Sequence, residues 1–130
     1  PAGKVIAVDL QPKMLAGLKK RAHRAGLLDR IEARLSDGIR LGLEDLEGRV
    51  DFCAAIHMIH EVEDQDGFFP QVARALKRGG KLLLLEPKGH VKAAELDRTL
   101  LVALEAGLET LNRFVRPGGR GALLIKRSSA

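Results

Sequence analysis

Hydrophobic positions along the chain fall into short, nearly continuous runs, separated by stretches in which apolar residues recur at helical spacing. A short apolar run bounded by turn residues is typical of a strand, whereas a recurrence every three or four residues is typical of a helix with one buried face. The runs predict strands at Lys4 to Val8, Ile31 to Leu35, Val50 to Ile59 and Lys81 to Pro87. The helical spacing predicts helices at Pro12 to Ala25, Asp64 to a stop at Gly79-Gly80, and Val91 to Ala106.

The C-terminal part of the chain has the pattern of a hairpin. Leu108 to Arg116 and Arg120 to Arg127 are predicted strands, and the "PGG" between them is short enough for an antiparallel turn. The whole order of elements predicts an α/β fold with a mainly parallel sheet. Connections between parallel strands are right-handed, so the carboxyl ends of the strands would lie along one edge of this sheet, where ligands bind. These strand ends carry Asp9, Asp37, His57 and Glu86.

Composition narrows the possible partners. With 130 residues, of which 45% are hydrophobic, the chain is long enough for one domain with an apolar core. Its 22 Lys and Arg residues against 17 Asp and Glu give a formal charge of +5, which tolerates an anionic partner without requiring one. There is no Trp or Tyr, and the four Phe are not interleaved with basic residues, so nucleic acid is not the expected ligand.

Features of cellular location are few. Cys53 is the single cysteine and lies in an apolar run, which excludes an internal disulfide and fits a reducing compartment. No apolar run is long enough to span a bilayer, and no signal peptide is visible. We therefore expect a cytoplasmic protein without a membrane span.

Asp9 raises the first question of chemistry, because it stands where a buried strand ends and a helix begins. A carboxylate at that edge of an α/β sheet can accept hydrogen bonds from ribose hydroxyls. It can equally accept backbone N–H groups at the start of the following helix, whose early Pro12 suits that position. The residue alone leaves both interpretations open.

Five segments, taken in order, resemble a known family. They are "GKVIAVDLQPKML", "IEARLSDG", "VDFCAAIHMIHEVED", "VARALKRGGKLLLLEP" and "GLETLNRFVRPGGRGALLIKR". Together they resemble the class I S-adenosylmethionine-dependent methyltransferases from the second strand of that fold onward. The resemblance implies that the cofactor is S-adenosylmethionine. It implies that Asp9 binds the ribose hydroxyls, that Leu10 lies against the adenine, and that Asp37 accepts from the adenine amino group beside a backbone contact at Gly38. It also implies that Ile56 and His57 lie near the methyl-bearing sulfur.

The resemblance also implies a mechanism, in which a nucleophile of the acceptor attacks the methyl carbon in line. The protein then aligns the partners and, for an oxygen or nitrogen nucleophile, accepts a proton. His57, His60 and Glu61 are the catalytic candidates, although these histidines could instead hydrogen-bond the loop above the strand. We expect no metal site, and we expect the acceptor to be a small molecule.

One element of the family is absent from the sequence. Its first strand and the glycine-rich loop after it have no counterpart, and neither "RGG" nor "RPGGRG" leads from a strand into a helix. The expectation is a partial methyltransferase domain over residues 1–127 with a frayed tail at 128–130, a Rossmann-like sheet without its central first strand, and helices on both faces. Two inner strands would then have unpaired edges, so we expect poor stability, a homo-oligomer or a complementing chain.

Three other functions remain open at this stage. A fragment of a nicotinamide dinucleotide-binding oxidoreductase would also place an acid such as Asp9 on a ribose, although Asp37 and the terminal hairpin favour a methyltransferase. A non-catalytic partner subunit could keep the same fold for association alone. A basic RNA-associated module would bind RNA with a steep dependence on salt.

Overall fold

The order of strands and helices follows the predicted alternation. The structure, a computed structural model, describes residues 3–37, 39–56, 58–59, 62–87, 89 and 92–127. Within it the chain divides into two units, Pro1–Gly42 and Leu43–Ala130. No helix of the described ranges has the length and apolar character needed to cross a membrane.

The first unit is a strand, a helix and a second strand. Strand β1 spans Val5–Asp9, helix α1 spans Pro12–Arg24, and strand β2 spans Ile31–Leu35. The two strands pair in parallel, with Asp9 opposite Leu35 at their carboxyl ends. Pro12 begins the helix, as its sequence position predicts. Proline is tolerated there because the first backbone N–H groups of a helix have no hydrogen-bond partner within the helix. Gly26, with φ of 71°, takes the left-handed conformation that ends the helix.

The second unit contains four strands and two helices. Its elements are strand β3 at Val50–Ile56, helix α2 at Gln65–Ala75, strand β4 at Leu76–Pro87, helix α3 at Ala93–Glu105, strand β5 at Leu108–Arg116 and strand β6 at Gly119–Lys126. The strand order is β3-β4-β6-β5. The β3–β4 pair is parallel, whereas β6 pairs antiparallel with both β4 and β5. The predicted C-terminal hairpin is thus present, and the sheet is mixed.

The core of the second unit lies between its sheet and its two helices. Along β4, Leu82 and Leu84 are fully buried, whereas Leu83 between them is half-buried, as the two-residue period of a strand requires. Helix α2 contacts β4 and α3 contacts β5, and the helices also contact each other. Phe69 of α2 and Leu96 of α3 are buried among these elements, and burial of each such side chain stabilises the fold by about 1.5–3 kcal/mol.

Two glycines of β6 allow this strand to lie close to β4. A Cβ atom at Gly119 would collide with the carbonyl oxygen of Glu86, and one at Gly121 with that of Leu84. Any larger residue at either position would push the strands apart, since backbone atoms cannot move aside as a flexible side chain can.

Helix α2 is shorter than its sequence pattern predicts, and this prediction was wrong. The helix ends at Ala75, Leu76 is already extended, and Gly79-Gly80 lie inside β4 rather than at a helix stop. The pairing with β3 explains the difference, because Val50 lies opposite Leu76 while Phe52 lies opposite Lys81. The extra residues form an irregularity in which Gly79 has φ of 79°, a conformation that glycine adopts without strain.

The described strands form two separate sheets, β1-β2 and β3-β4-β6-β5. Among the described residues, β1 pairs with β2 alone and β3 pairs with β4 alone, so each has one edge without a partner strand. Residues 128–130, predicted as a frayed tail, lie outside the described part, and the extent of the domain stays a prediction.

Candidate cofactor site

Asp9 holds the turn between β1 and α1. Its Oδ1 accepts a hydrogen bond from the backbone N–H of Gln11 at 2.9 Å. Gln11 is the residue before the helix and makes no capping bond with its own side chain. The carboxylate therefore anchors the entry to the helix through one oxygen, and the described residues donate no hydrogen bond to its Oδ2.

Asp37 has a similar arrangement after β2. Its Oδ1 accepts hydrogen bonds from the backbone N–H groups of Ile39, at 2.9 Å, and Arg40, at 2.7 Å. These two bonds, the one from Arg40 first, hold the pKa of the exposed Asp37 carboxyl below its ordinary value of 3.8. The group is consequently charged at neutral pH, and both of these backbone groups donate to the same oxygen, Oδ1.

A buried serine ties the two strand ends together. The backbone N–H of Ser36 donates to the carbonyl oxygen of Asp9 at 2.8 Å, which extends the β1–β2 pairing by one bond. The Ser36 hydroxyl donates to the carbonyl oxygen of Arg40 at 2.7 Å and closes the turn that contains Asp37. Asp9 and Asp37 are thus brought to the same carboxyl edge of the two-stranded sheet, as the sequence predicts.

Apolar side chains at this edge are exposed. Leu10, a predicted cofactor contact, has 57% of its surface accessible. Ile39, which sequence reasoning did not select, is 71% accessible in the turn after Asp37. An apolar residue immediately after "SDG" was the available signal. Such exposed side chains next to two carboxylates suit a ligand with both a flat apolar part and hydroxyl or amino groups.

The second unit carries the remaining described candidate. Ile56 ends β3, lies opposite Leu85 of β4 and is 51% exposed, so its side chain is accessible to a ligand. Gly38, His57, His60 and Glu61 lie outside the described residues, and their roles stay predictions. The described ranges hold no group of three or more His, Cys, Asp or Glu side chains placed to bind a metal ion.

Glu86, at the carboxyl end of β4, has a role that the sequence did not reveal. It is fully buried, and its Oε1 accepts a hydrogen bond from the backbone N–H of Ile59 at 2.9 Å. It lines a cavity of about 250 Å³ inside the second unit. The other residues around this cavity are Ile59, Gln65, Glu95, Leu96, Arg98 and Thr99. No local sequence signal could have found the contact, because 27 residues separate its partners.

Cys53 lies on β3, and its environment does not favour a role as a nucleophile. Burial among apolar strands raises the pKa of its thiol to about 11. At neutral pH it is therefore protonated and a poor nucleophile.

Most of the chain matches one known protein family. Residues 1–84 match the family model described as a methyltransferase domain. The chain belongs to the methyltransferase domain family. Within that family the carboxyl edge of the strands is where the resemblance places the cofactor, and it is the edge at which Asp9 and Asp37 meet.

A curated relative supports the same assignment. The 27-O-demethylrifamycin SV methyltransferase of Amycolatopsis mediterranei (strain S699) is 27% identical over 121 residues, which cover 93% of this chain and 39% of that protein. The chain spans less than half of the length of the curated relatives it matches.

Solved structures confirm the fold of this methyltransferase domain. A SAM-dependent methyltransferase from Aquifex aeolicus is similar with a TM-score of 0.81 and 20% sequence identity, over 95% of this chain and 69% of that chain. The cyclase SpnF is similar with a TM-score of 0.75 and 20% identity, over 87% of this chain and 46% of that chain. The resemblance to class I methyltransferases and the α/β fold class are confirmed. Since a cyclase shares the fold, the reaction itself has to be argued from the site.

Proposed function

We propose that the chain is part of an enzyme that transfers a methyl group from S-adenosylmethionine to a small-molecule acceptor. The observation that carries the proposal is the pair of carboxylates at the edge of β1 and β2. Asp9 and Asp37 each receive the chain's own hydrogen bonds at Oδ1, which leaves Oδ2 of each for a ligand. Carboxylate oxygens accept from hydroxyl and amino groups, which are the polar groups of adenosine.

The residues present fit the nucleoside part of this cofactor. Asp9 would accept from the ribose hydroxyls and Asp37 from the adenine amino group, with Gly38 providing a backbone contact. Leu10 would pack against the adenine ring, and the exposed Ile39 extends the apolar surface available to it. A nicotinamide dinucleotide would also bind Asp9 through a ribose, but its binding would not account for the second carboxylate, Asp37, in the turn after β2.

For the methyl transfer, the bound sulfonium supplies an already activated methyl group. The chain's own task is then to align the acceptor and, where the nucleophile is an oxygen or nitrogen, to take its proton. We assign the proton to the cluster His57, His60 and Glu61, which follows β3 directly in the sequence, and a place beside the sulfur to Ile56 and His57. Imidazole suits this role because its ordinary pKa lies near neutrality.

The acceptor is proposed to be a small molecule because the curated relative is named for methylation of a rifamycin. The segment between β4 and β5 consists chiefly of α3, a single helix of 13 residues. It would provide a cover for a small acceptor rather than a separate substrate domain.

Partners and location form a further part of the proposal. The edges of β1 and β3 without partner strands favour association with a strand from another segment or another copy of the chain. The shortage of aromatic residues argues against nucleic acid as the ligand. The single Cys53, which can form no disulfide within the chain, is consistent with the cytoplasm.

Conservative variants test the cofactor site. Asp9→Asn and Asp37→Asn keep an oxygen that can accept the turn hydrogen bonds but replace the ligand-facing carboxylate oxygen by an amide. A hydrogen bond to a charged group contributes about 1.5–3 kcal/mol, so each change should weaken binding of S-adenosylhomocysteine by roughly 10-fold to 100-fold in calorimetric titration. Asp29→Asn, on the short helical turn before β2, is the matched control.

Unchanged affinity in both site variants would refute the assignment of Asp9 and Asp37. NAD, titrated in parallel, separates the two cofactor classes: stronger binding of NAD than of S-adenosylhomocysteine would favour a dinucleotide-binding protein instead.

A further inference from the structure

The exposed side of helix α1 carries a concentration of positive charge. Residues 1–42, which form the first unit, contain nine Lys and Arg against four Asp and Glu, so the whole formal charge of +5 belongs to this unit. Helix α1 has no acidic residue between its first and last positions. Four of its cations are exposed and lie on one side of the helix, and we call them the basic stripe: Lys13, Lys20, Arg21 and Arg24.

The basic stripe lies away from the buried side of the helix. Leu15 and Ala22 are the buried residues of α1, which contacts β1 and β2. Lys13, Lys20 and Arg24 follow one another after seven and four residues, a spacing that returns to the same face of a helix. At 1.5 Å per residue the stripe is about 16 Å long. Among the described residues, no carboxylate forms an ion pair with any of its side chains.

Gly17 lies in the middle of the basic stripe, and the packing of the chain does not require a glycine there. Apart from proline, glycine is the least favourable residue for the interior of a helix. A Cβ atom at this position would meet only Nη1 of Arg21, at 3.4 Å, which is an ordinary contact. The missing side chain does, however, allow the backbone of another molecule to approach the helix closely.

The chemistry of this surface selects among anionic partners. A helix that lies on a membrane places its apolar face in the lipid, whereas Leu15 and Ala22 of α1 are already buried within the chain. Single-stranded nucleic acid stacks on aromatic side chains, and residues 1–42 contain no Phe, Tyr or Trp. A helix with carboxylates at intervals of four and three residues has the same repeat as the basic stripe, so its acids can each meet a cation.

We propose that the basic stripe is a docking surface for an acidic helix of a partner protein, which crosses α1 at Gly17. The cations attract the partner and favour acidic sequences, and the glycine admits the backbone of a helix to close contact. The proposal uses no residue of the proposed cofactor site and does not depend on the proposed function.

Synthetic peptides test the charge of this surface, with binding to the full 130-residue chain measured by fluorescence anisotropy. The first peptide is an alanine-based helix with glutamates at intervals of four and three residues, and the second has the same composition with its glutamates all around the helix. Lys20→Gln combined with Arg24→Gln should weaken binding of the first peptide roughly 3-fold to 10-fold at low salt. Arg78→Gln combined with Lys81→Gln is the matched control, because it removes the same charge from exposed positions of β4 and should leave the affinity unchanged.

Gly17→Gln tests the shape of the surface separately from its charge. The variant keeps all four cations, but its side chain would hold a docked helix away from α1, so affinity for the first peptide should fall roughly 10-fold. Glutamine is a better helix former than glycine, and the variant should therefore remain folded. Circular dichroism of the free chain checks that the loss of binding is not a loss of structure.

Three results would overturn the proposal. Equal affinity for the two peptides, or an unchanged affinity in Gly17→Gln, would show that the basic stripe attracts any negative charge. Tighter binding of an RNA duplex or of phosphatidylserine vesicles than of the first peptide would assign the surface to those partners instead. Absence of binding of the first peptide at low salt would also contradict the docking surface. Titration of the same variants with S-adenosylhomocysteine should give unchanged affinity, which separates this test from that of the proposed function.

Discussion

Asp9 and Asp37 each use one carboxylate oxygen to order the turn that follows their strand, and we propose the other oxygen for the cofactor. At both positions Oδ1 accepts backbone N–H groups of the following turn. The alternatives considered for Asp9, a contact at the start of the helix and a ribose acceptor, are therefore compatible, because they use different oxygens. A residue that orders its own turn also fixes the direction of its second oxygen before any ligand arrives.

Cys53 gives a prediction at the residue scale. Because burial raises the pKa of its thiol to about 11, the thiolate fraction at pH 7 is very small and increases about tenfold with each pH unit below that value. Labelling of the folded chain by a thiol-specific disulfide reagent should be slow at pH 7 and accelerate in parallel with the thiolate fraction. Rapid labelling at pH 7, as fast as in the denatured chain, would show that the thiol is not protected.

The sequence predicts residue positions where the signal is local, and the cofactor-binding roles of Asp9 and Asp37 stay proposals. Asp9 and Asp37 follow predicted strands, and a carboxylate at a strand end can be found from the pattern alone. Ile39 and the contact of Glu86 with Ile59 were missed for different reasons. Ile39 is one of several apolar residues, with Leu41 and Leu43, in a loop where no strand or helix pattern distinguishes it, whereas the Glu86 contact depends on the packing of segments far apart in the chain.

At the scale of elements, most boundaries follow from caps and turns. Pro12 and Gly26 delimit α1, and the predicted Leu108 to Arg116 strand is found without change. The end of α2 was mispredicted because Gly79-Gly80 has the form of a helix stop. Leu76 and the residues after it instead form part of β4, because they pair with β3. A local sequence pattern cannot predict which strand will be the neighbour.

The close approach of β6 to β4 gives a prediction for an element. Gly121→Ala places a Cβ atom against the carbonyl oxygen of Leu84, so the strands must separate or shift. We expect a loss of about 1–3 kcal/mol in the free energy of unfolding, measured by urea titration. Gly118→Ala is the matched control, because a Cβ atom there meets nothing within 4 Å. Equal stability of the two variants would contradict the packing described for the hairpin.

At the scale of the whole molecule, the strand edges govern the behaviour in solution. β1 and β3 each present an edge with no partner strand among the described residues. Such edges favour pairing with further strands. We predict that the 130-residue chain associates as its concentration rises, which sedimentation velocity would detect as an increasing mass. A monomer at all concentrations, with cooperative two-state unfolding, would contradict this prediction.

The fold class was predictable at this scale because it depends on the order of elements and on the terminal hairpin. The reaction cannot be predicted from the fold alone, because a cyclase and methyltransferases share this fold. The assignment therefore depends on the two carboxylates of the first unit and on the family to which the chain belongs.

The most direct test of the central claim is chemical-shift mapping of S-adenosylhomocysteine on the isotopically labelled chain. We expect saturable changes concentrated at the amides of Asp9, Leu10, Asp37 and Ile39, with little change around the β5–β6 hairpin. No change on addition of the ligand to a folded chain, or changes confined to other regions, would contradict cofactor binding at the carboxyl edge of β1 and β2.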